Sequence, residues 1–224
     1  MASRPILGIV PCLLFASTLA VRAPAQATPE LPSSKEEVSN ALAHLRDRYG
    51  LDAVKLESFL LQYAIEAGAV LTTSVGMRGV EKVGEHSYLQ VDFDTGIIYA
   101  PSDVSRSQAP ARIWSEIVAP TLRQFESMQV AADGIVLHIR FRHSEDDAMQ
   151  ILRERRQDSI PIDVVSFRML CRDVVEAVRS AATSGQLLER AVVLLNGDQT
   201  TLALDEAAAL RRLDGAVTPP LPLE

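Results

Sequence analysis

Residues 134–143, GIVLHIRFRH, show the most regular alternation of apolar and polar side chains in the sequence. Successive side chains of an extended strand point to opposite faces. One face of this strand would therefore carry Ile135, Leu137, Ile139 and Phe141. The other face would carry Val136, His138, Arg140 and Arg142. A strand that is apolar on one face only favours an antiparallel sheet with one covered side.

The regions around this strand alternate between short extended runs and stretches with helical spacing. Extended runs are predicted at residues 69–75, 87–93, 96–101, 160–165 and 191–204, the last with a turn at Asn196-Gly197. Helices are predicted at 35–49, 52–67, 111–128, 144–156, 167–182 and 205–213. Pro120 is expected to kink the helix that contains it.

These elements predict an α+β fold. We expect a mostly antiparallel sheet of about five or six strands with helices packed on one face, preceded by an N-terminal helical hairpin. The hairpin would occupy residues 35–68, and the sheet with its helices residues 69–215. Residues 35–215 would thus form a single domain, with 216–224 as an extended tail.

The N-terminus resembles a secretory signal peptide. Arg4 precedes an uncharged apolar run, and Ala25-Gln26-Ala27 fits the rule for a cleavage site. We therefore interpret residues 1–27 as a leader and 28–34 as a polar linker. The mature chain would begin at Thr28, be secreted or periplasmic, and have no stable membrane anchor.

Charge and cysteine content restrict the class of partner. The full chain has a net charge of −7. Without the leader, 20 Lys and Arg side chains face 29 Asp and Glu side chains, giving −9. Such a charge opposes non-specific attraction to nucleic acid or anionic lipid, so we expect no nucleic-acid partner. Only Cys171 would remain, on an apolar helical stripe typical of an inert core thiol. No cofactor motif is present, and we expect none to be bound.

The triplet Asp94-Thr95-Gly96 within VDFDTGIIY, residues 91–99, is the clearest candidate for enzyme chemistry. It resembles the catalytic loop of pepsin-like and retroviral-type aspartic proteases. The resemblance implies that Asp94 shares a proton with a second aspartate, which a homodimer would supply by symmetry. Ile97 departs from these families, which carry Ser or Ala there. The long predicted helices also do not belong in so compact an all-β scaffold.

A structural interpretation of the same triplet is a tight hairpin turn. Asp and Gly between two runs rich in β-branched and aromatic residues supply what such a turn needs. We therefore expect residues 87–93 to pair antiparallel with 97–100, with Asp94 exposed at the tip.

Metal-ligand residue types also cluster. His138 and His143 are followed by Glu145, Asp146 and Asp147, and three such ligands with a water would form a hydrolytic site. His138 and His143 are an odd number of residues apart, so they should point to opposite faces. The acidic residues also suit a helix N-terminus. A capped helix is therefore the simpler interpretation, and we expect no metal site.

The row His138, Arg140 and Arg142 remains as the candidate binding surface. It would bind an unknown protein or a small anionic ligand, or else form ion pairs with Asp92 on a neighbouring strand. Two functions follow from these observations. The first is a non-catalytic binding or assembly module that uses this polar sheet face. The second is a hydrolase, either a dimeric aspartic type through Asp94 or a metal type around His143.

Overall fold

The structure is a computed structural model that describes residues 43–69, 73–100, 102, 104–144, 146, 148–154 and 160–213. Its centre is a six-stranded sheet in which spatial order follows chain order. The strands are β1 (Ser74–Val83), β2 (His86–Tyr99), β3 (Gly134–His143), β4 (Ile162–Leu170), β5 (Val192–Leu195) and β6 (Asp198–Gln199). The β2 and β3 strands pair parallel, and every other neighbouring pair is antiparallel. The predicted α+β class and mostly antiparallel sheet are confirmed.

Helices flank the sheet. They are α1 (Leu51–Glu66), α2 (Ala109–Ile113), a π-helix (Trp114–Val118), α3 (Ala119–Leu122), α4 (Ala148–Arg153), α5 (Cys171–Arg179), α6 (Ser184–Glu189) and α7 (Glu206–Leu210). A further helical segment at residues 43–49 precedes α1. Residues 35–42 of the predicted helical hairpin, like the leader, linker and tail, lie outside the described residues. Within the described part of the chain, no helix is long and apolar enough to cross a membrane.

One apolar core joins the helices to the first face of the sheet. Ile135, Leu137, Ile139 and Phe141 of β3 are all fully buried there, as the alternation predicts. They share this core with apolar side chains of α1, the π-helix and α5. Trp114 packs against Phe167 with ring centroids 5.2 Å apart, and its indole N–H donates to the buried Ser184 hydroxyl at 2.9 Å. The apolar face of β3 thus fixes the side of the sheet that α1, the π-helix and α5 cover.

The predicted hairpin turn at Asp94-Thr95-Gly96 is wrong. The β2 strand runs without interruption through these residues, and the hairpin tip lies earlier, between Val83 and His86. The triplet forms a β-bulge, because the pairing of β2 with β3 shifts register between Asp94 and Ile98.

The local hydrogen bonds of the triplet explain the error. The Asp94 carboxylate accepts from the Gly96 N–H at 3.1 Å, and Gly96 has a φ of +67°. These are the features that a turn requires. Here they bend a strand instead, because the Thr95 hydroxyl donates to the Arg140 carbonyl at 2.9 Å and holds the bulge on β3.

Two predicted helices have different bounds. Residues 167–170 belong to β4, and the helix that follows is α5, which begins at Cys171. The predicted helix at 111–128 spans residues 109–122, and its central turn is a π-helix in which the Ala119 N–H bonds to the Trp114 carbonyl. Pro120 has no N–H to donate and would collide with the carbonyl four residues earlier. The wider turn directly before Pro120 accommodates both constraints.

The turn of the last hairpin and the start of the last helix lie where the sequence predicts them. Asn196 and Gly197 have φ values of +52° and +94° and connect β5 to β6, as the predicted turn requires. Asp205 caps α7 by accepting from the Ala208 N–H at 2.7 Å. The two strands cover only part of the run predicted at 191–204, but strong local signals locate this turn and this helix cap.

Candidate binding surface

The second face of the sheet carries a network of charged and polar side chains. We call it the polar face and define it by Arg78, Glu81, Asp92, Asp94, His138, Arg140, Arg142, Ser166 and Arg168. The parallel register of β2 and β3 sets Asp92 opposite His138 and Asp94 opposite Arg140. The predicted row on β3 therefore lies beside the carboxylates of β2.

Arg140 forms the ion pair with Asp92 that the sequence suggested. Its Nη2 lies 3.3 Å from Asp92 Oδ2. The same oxygen accepts from Arg78 Nε of β1 at 2.7 Å, so two guanidinium groups share one carboxylate. The side chains of Arg78 and Arg140 are 60% and 41% exposed, which leaves some of their N–H donors open to solvent.

Arg142 pairs with Asp94. Its two terminal nitrogens lie 3.2 and 3.5 Å from the two carboxylate oxygens, and its side chain is only 16% exposed. Asp94 is therefore not at an exposed tip. An aspartic protease needs two carboxyl groups that share a proton, whereas the group that faces Asp94 here is a guanidinium. This contact holds the bulge of β2 to β3.

Arg168 extends the network to β4. Its Nη2 lies 3.7 Å from Glu81 Oε1. Its guanidinium carbon also lies over the Tyr88 ring, 5.6 Å from the ring centroid. Glu81 also accepts from Gln90 at 2.7 Å. Arg168 was not predicted at this site, because the apolar spacing predicts a helix over 167–182. The alternation of Val165, Phe167 and Met169, all buried, is the signal that could have identified it.

His138 contacts Ser166 rather than a charged group. Its Nδ1 lies 2.8 Å from the Ser166 hydroxyl across the β3–β4 pair. Ser166 is buried, so its oxygen is closed to a bulky substrate. The contact connects two strands and satisfies two polar groups at the base of the face.

The proposed metal ligands around His143 are only partly described. His143 Nε2 lies 3.0 Å from the Val104 carbonyl. The Asp146 backbone N–H bonds to the Ser144 hydroxyl at 3.1 Å. Glu145 and Asp147 lie outside the described residues. Among those that are described, no three His, Cys, Asp or Glu side chains are grouped so that they could hold a metal ion.

Asp163 forms a second cluster that the sequence did not indicate. Its buried carboxylate accepts from Arg106, with Nε–Oδ2 at 2.8 Å, and from Asn196 at 2.9 Å. Burial alone would raise the pKa of Asp163. These hydrogen bonds and the nearby charges of Arg106 and His143 lower the pKa by a larger amount, so the net shift is downward. The cluster ties the β5–β6 turn and the loop before α2 to β4.

The polar face differs in charge from the chain as a whole. Its four arginines exceed its three carboxylates by one positive charge, whereas the chain carries −7. Comparisons with protein-family models, curated proteins and solved structures found no match. Function is therefore inferred from the residues of the face. Arg78 and Arg140 provide exposed guanidinium donors, which bind oxyanions in fixed geometry.

Proposed function

We propose that this protein is an exported, non-catalytic binding or assembly module whose polar face takes an acidic segment of a partner protein. The observation that carries the proposal is the pair Arg78 and Arg140. Both guanidinium groups share the single Asp92 carboxylate and both are substantially exposed. A carboxylate from a partner would complete their pairing.

The energetics favour exchange of partners at this site. Exposed ion pairs contribute only about 0–1 kcal/mol each, so the existing contacts to Asp92 rearrange at small cost. An arginine fork can hold a second carboxylate with two parallel hydrogen bonds. The less exposed Arg142 and Arg168 would keep the surface rigid while the outer arginines bind.

The acidity of the chain does not oppose this partner. At physiological ionic strength the screening length is about 8 Å, so a ligand on the face responds mainly to the local excess of positive charge. Nucleic acid and anionic membrane would span a much larger area and meet the overall negative charge of the protein. A short acidic peptide segment fits the face better than either.

Binding of a fluorescently labelled poly-glutamate peptide tests the proposal. We expect fluorescence anisotropy to show saturable binding that weakens as salt is added. Arg78→Gln and Arg140→Gln should each weaken the affinity about fivefold or more, which corresponds to roughly 1 kcal/mol. The matched control is Arg190→Gln, which removes a surface arginine paired with Glu176 at 3.3 Å. Equal affinities for wild type and all three variants, or equal binding of poly-lysine, would contradict the proposal.

Export is the second part of the proposal, and it has its own test. The charged start, apolar run and Ala25-Gln26-Ala27 site support cleavage of a leader. Mass spectrometry of the exported protein should find an N-terminus at Thr28 or within a few positions. Recovery of chains that begin at Met1 from the exterior fraction would exclude cleavage.

A further inference from the structure

A cleft of about 350 Å³ lies on the helical side of the sheet, between α1 and the segment formed by α2, the π-helix and α3. Its volume falls at the lower end of the range of about 300–1,000 Å³ typical of small-molecule sites. We call it the arginine cleft, because Arg112, Arg123 and Arg211 line it together with Glu66 and Glu116. None of these residues belongs to the polar face.

The charges of the arginine cleft are only partly paired. Arg112 donates to Glu116 at 2.8 Å, and Glu66 accepts from Gln62 at 3.0 Å. Arg123 and Arg211 have no carboxylate within ion-pair distance among the described residues, and Arg211 donates only a long bond of 3.4 Å to the Ser115 carbonyl. Three guanidinium groups thus face two carboxylates, which leaves an excess of one positive charge.

The guanidinium group of Arg123 has an incomplete set of hydrogen-bond partners. Its Nε is buried and has no hydrogen-bond partner. A buried donor without a partner is unfavourable, and more so when it belongs to a charged group. Because this Nε is itself covered, an oxyanion in the cleft would bind the terminal guanidinium nitrogens of Arg123, which have no carboxylate partner among the described residues.

The remaining walls are suited to an apolar group. Tyr63, Ala67 and Pro120 line the cleft beside the arginines. The Tyr63 hydroxyl accepts from Gln124 at 3.2 Å, which fixes its ring in place. The π-helix directly before Pro120 shapes the same wall, and such widened turns are frequent at functional sites.

We propose that the arginine cleft binds a small organic monocarboxylate. The carboxylate lies between Arg123 and Arg211, and the apolar body packs on Tyr63 and Pro120. A monoanion matches the single excess positive charge, whereas a dianionic phosphate would leave one negative charge without a partner.

Titration of the full chain with benzoate, acetate and inorganic phosphate tests this inference by isothermal calorimetry. Benzoate should bind saturably with a Kd at or below about 1 mM, and more tightly than acetate because its ring uses the apolar wall. Arg123→Met and Arg211→Met should each weaken benzoate about tenfold or more, since each removes a charged hydrogen bond. Arg190→Met, on the surface away from the cleft, should leave the affinity unchanged.

Several outcomes would overturn the proposal. Benzoate binding that does not saturate, or that both cleft variants leave intact, would show that the cleft is not the site. Tighter binding of phosphate than of benzoate would exclude a monocarboxylate. If Arg123→Met does not fold, the affinity of Arg211→Met for benzoate decides the question. This variant should fold, because Arg211 lies beyond α7 and its side chain makes only one long hydrogen bond.

Discussion

Replacement of Gly134 by alanine should destabilise the protein strongly. Gly134 is the first residue of β3 and lies opposite Tyr88 of β2 and Leu170 of β4. A Cβ at this position would lie 2.4 Å from the Met169 carbonyl oxygen and 2.6 Å from two atoms of the Tyr88 ring. One obstacle is backbone and cannot rotate away, and the Tyr88 ring is held under Arg168. We expect a loss of about 3 kcal/mol, the upper end of the usual cost of overpacking.

Gly76→Ala is the matched control, because Gly76 also lies in a strand. A Cβ there would meet no atom within 4 Å, and the residue does not require a positive φ. The free energy of unfolding should stay the same or rise by up to about 1 kcal/mol, since alanine restricts the unfolded chain. Urea unfolding followed by circular dichroism measures both variants, with the slope against denaturant checked for constancy. A Gly134→Ala protein within about 0.5 kcal/mol of wild type would refute the register of β2, β3 and β4.

Three further predictions concern the bulge, the buried acid and the thiol. Gly96→Val should cost about 1–3 kcal/mol, because valine resists the φ of +67°; thermal unfolding measures the loss, and an unchanged Tm would contradict the bulge. The lowered pKa of Asp163 means that its ionised form stabilises the fold above about pH 4 and that this contribution disappears as pH falls further. Asp163→Asn should therefore be less stable at neutral pH and lose less stability on acidification, as urea titrations at several pH values would show. Burial raises the pKa of the Cys171 thiol to about 12, so alkylation of the native protein near pH 8 should be slow and should accelerate on unfolding; rapid native labelling would show that the thiol is accessible.

Regular hydrophobic patterns made β3 and the last hairpin predictable from the sequence, whereas the extended run predicted at 69–75 overlaps β1 by only two residues. The alternation in residues 134–143 identified β3 and its two faces, and the Asn196-Gly197 pair located the last hairpin. The same alternation placed His138, Arg140 and Arg142 on one side. Each of these features is set by residues that are close together in the sequence, so one sequence is enough to predict it.

The errors arose where local signals fit two structures. Asp94 and Gly96 form the hydrogen bond and left-handed backbone of a turn, yet they form a bulge because β1 and β3 pair on either side of β2. Phe167 and Leu170 have helical spacing with Cys171, yet they lie in β4 because β3 and β5 pair there. The partners of the polar face, such as Arg78 with Asp92, depend on this pairing and could not be read from sequence spacing alone.

Nuclear magnetic resonance mapping of the poly-glutamate complex tests the binding surface most directly. Backbone amide and arginine Nε signals would be followed as unlabelled peptide is added to the labelled full chain. The proposal predicts that the largest shifts fall on Arg78, Arg140 and their neighbours in β1 and β3, and that they diminish with added salt. Shifts concentrated in the arginine cleft, or scattered without preference for the polar face, would contradict it.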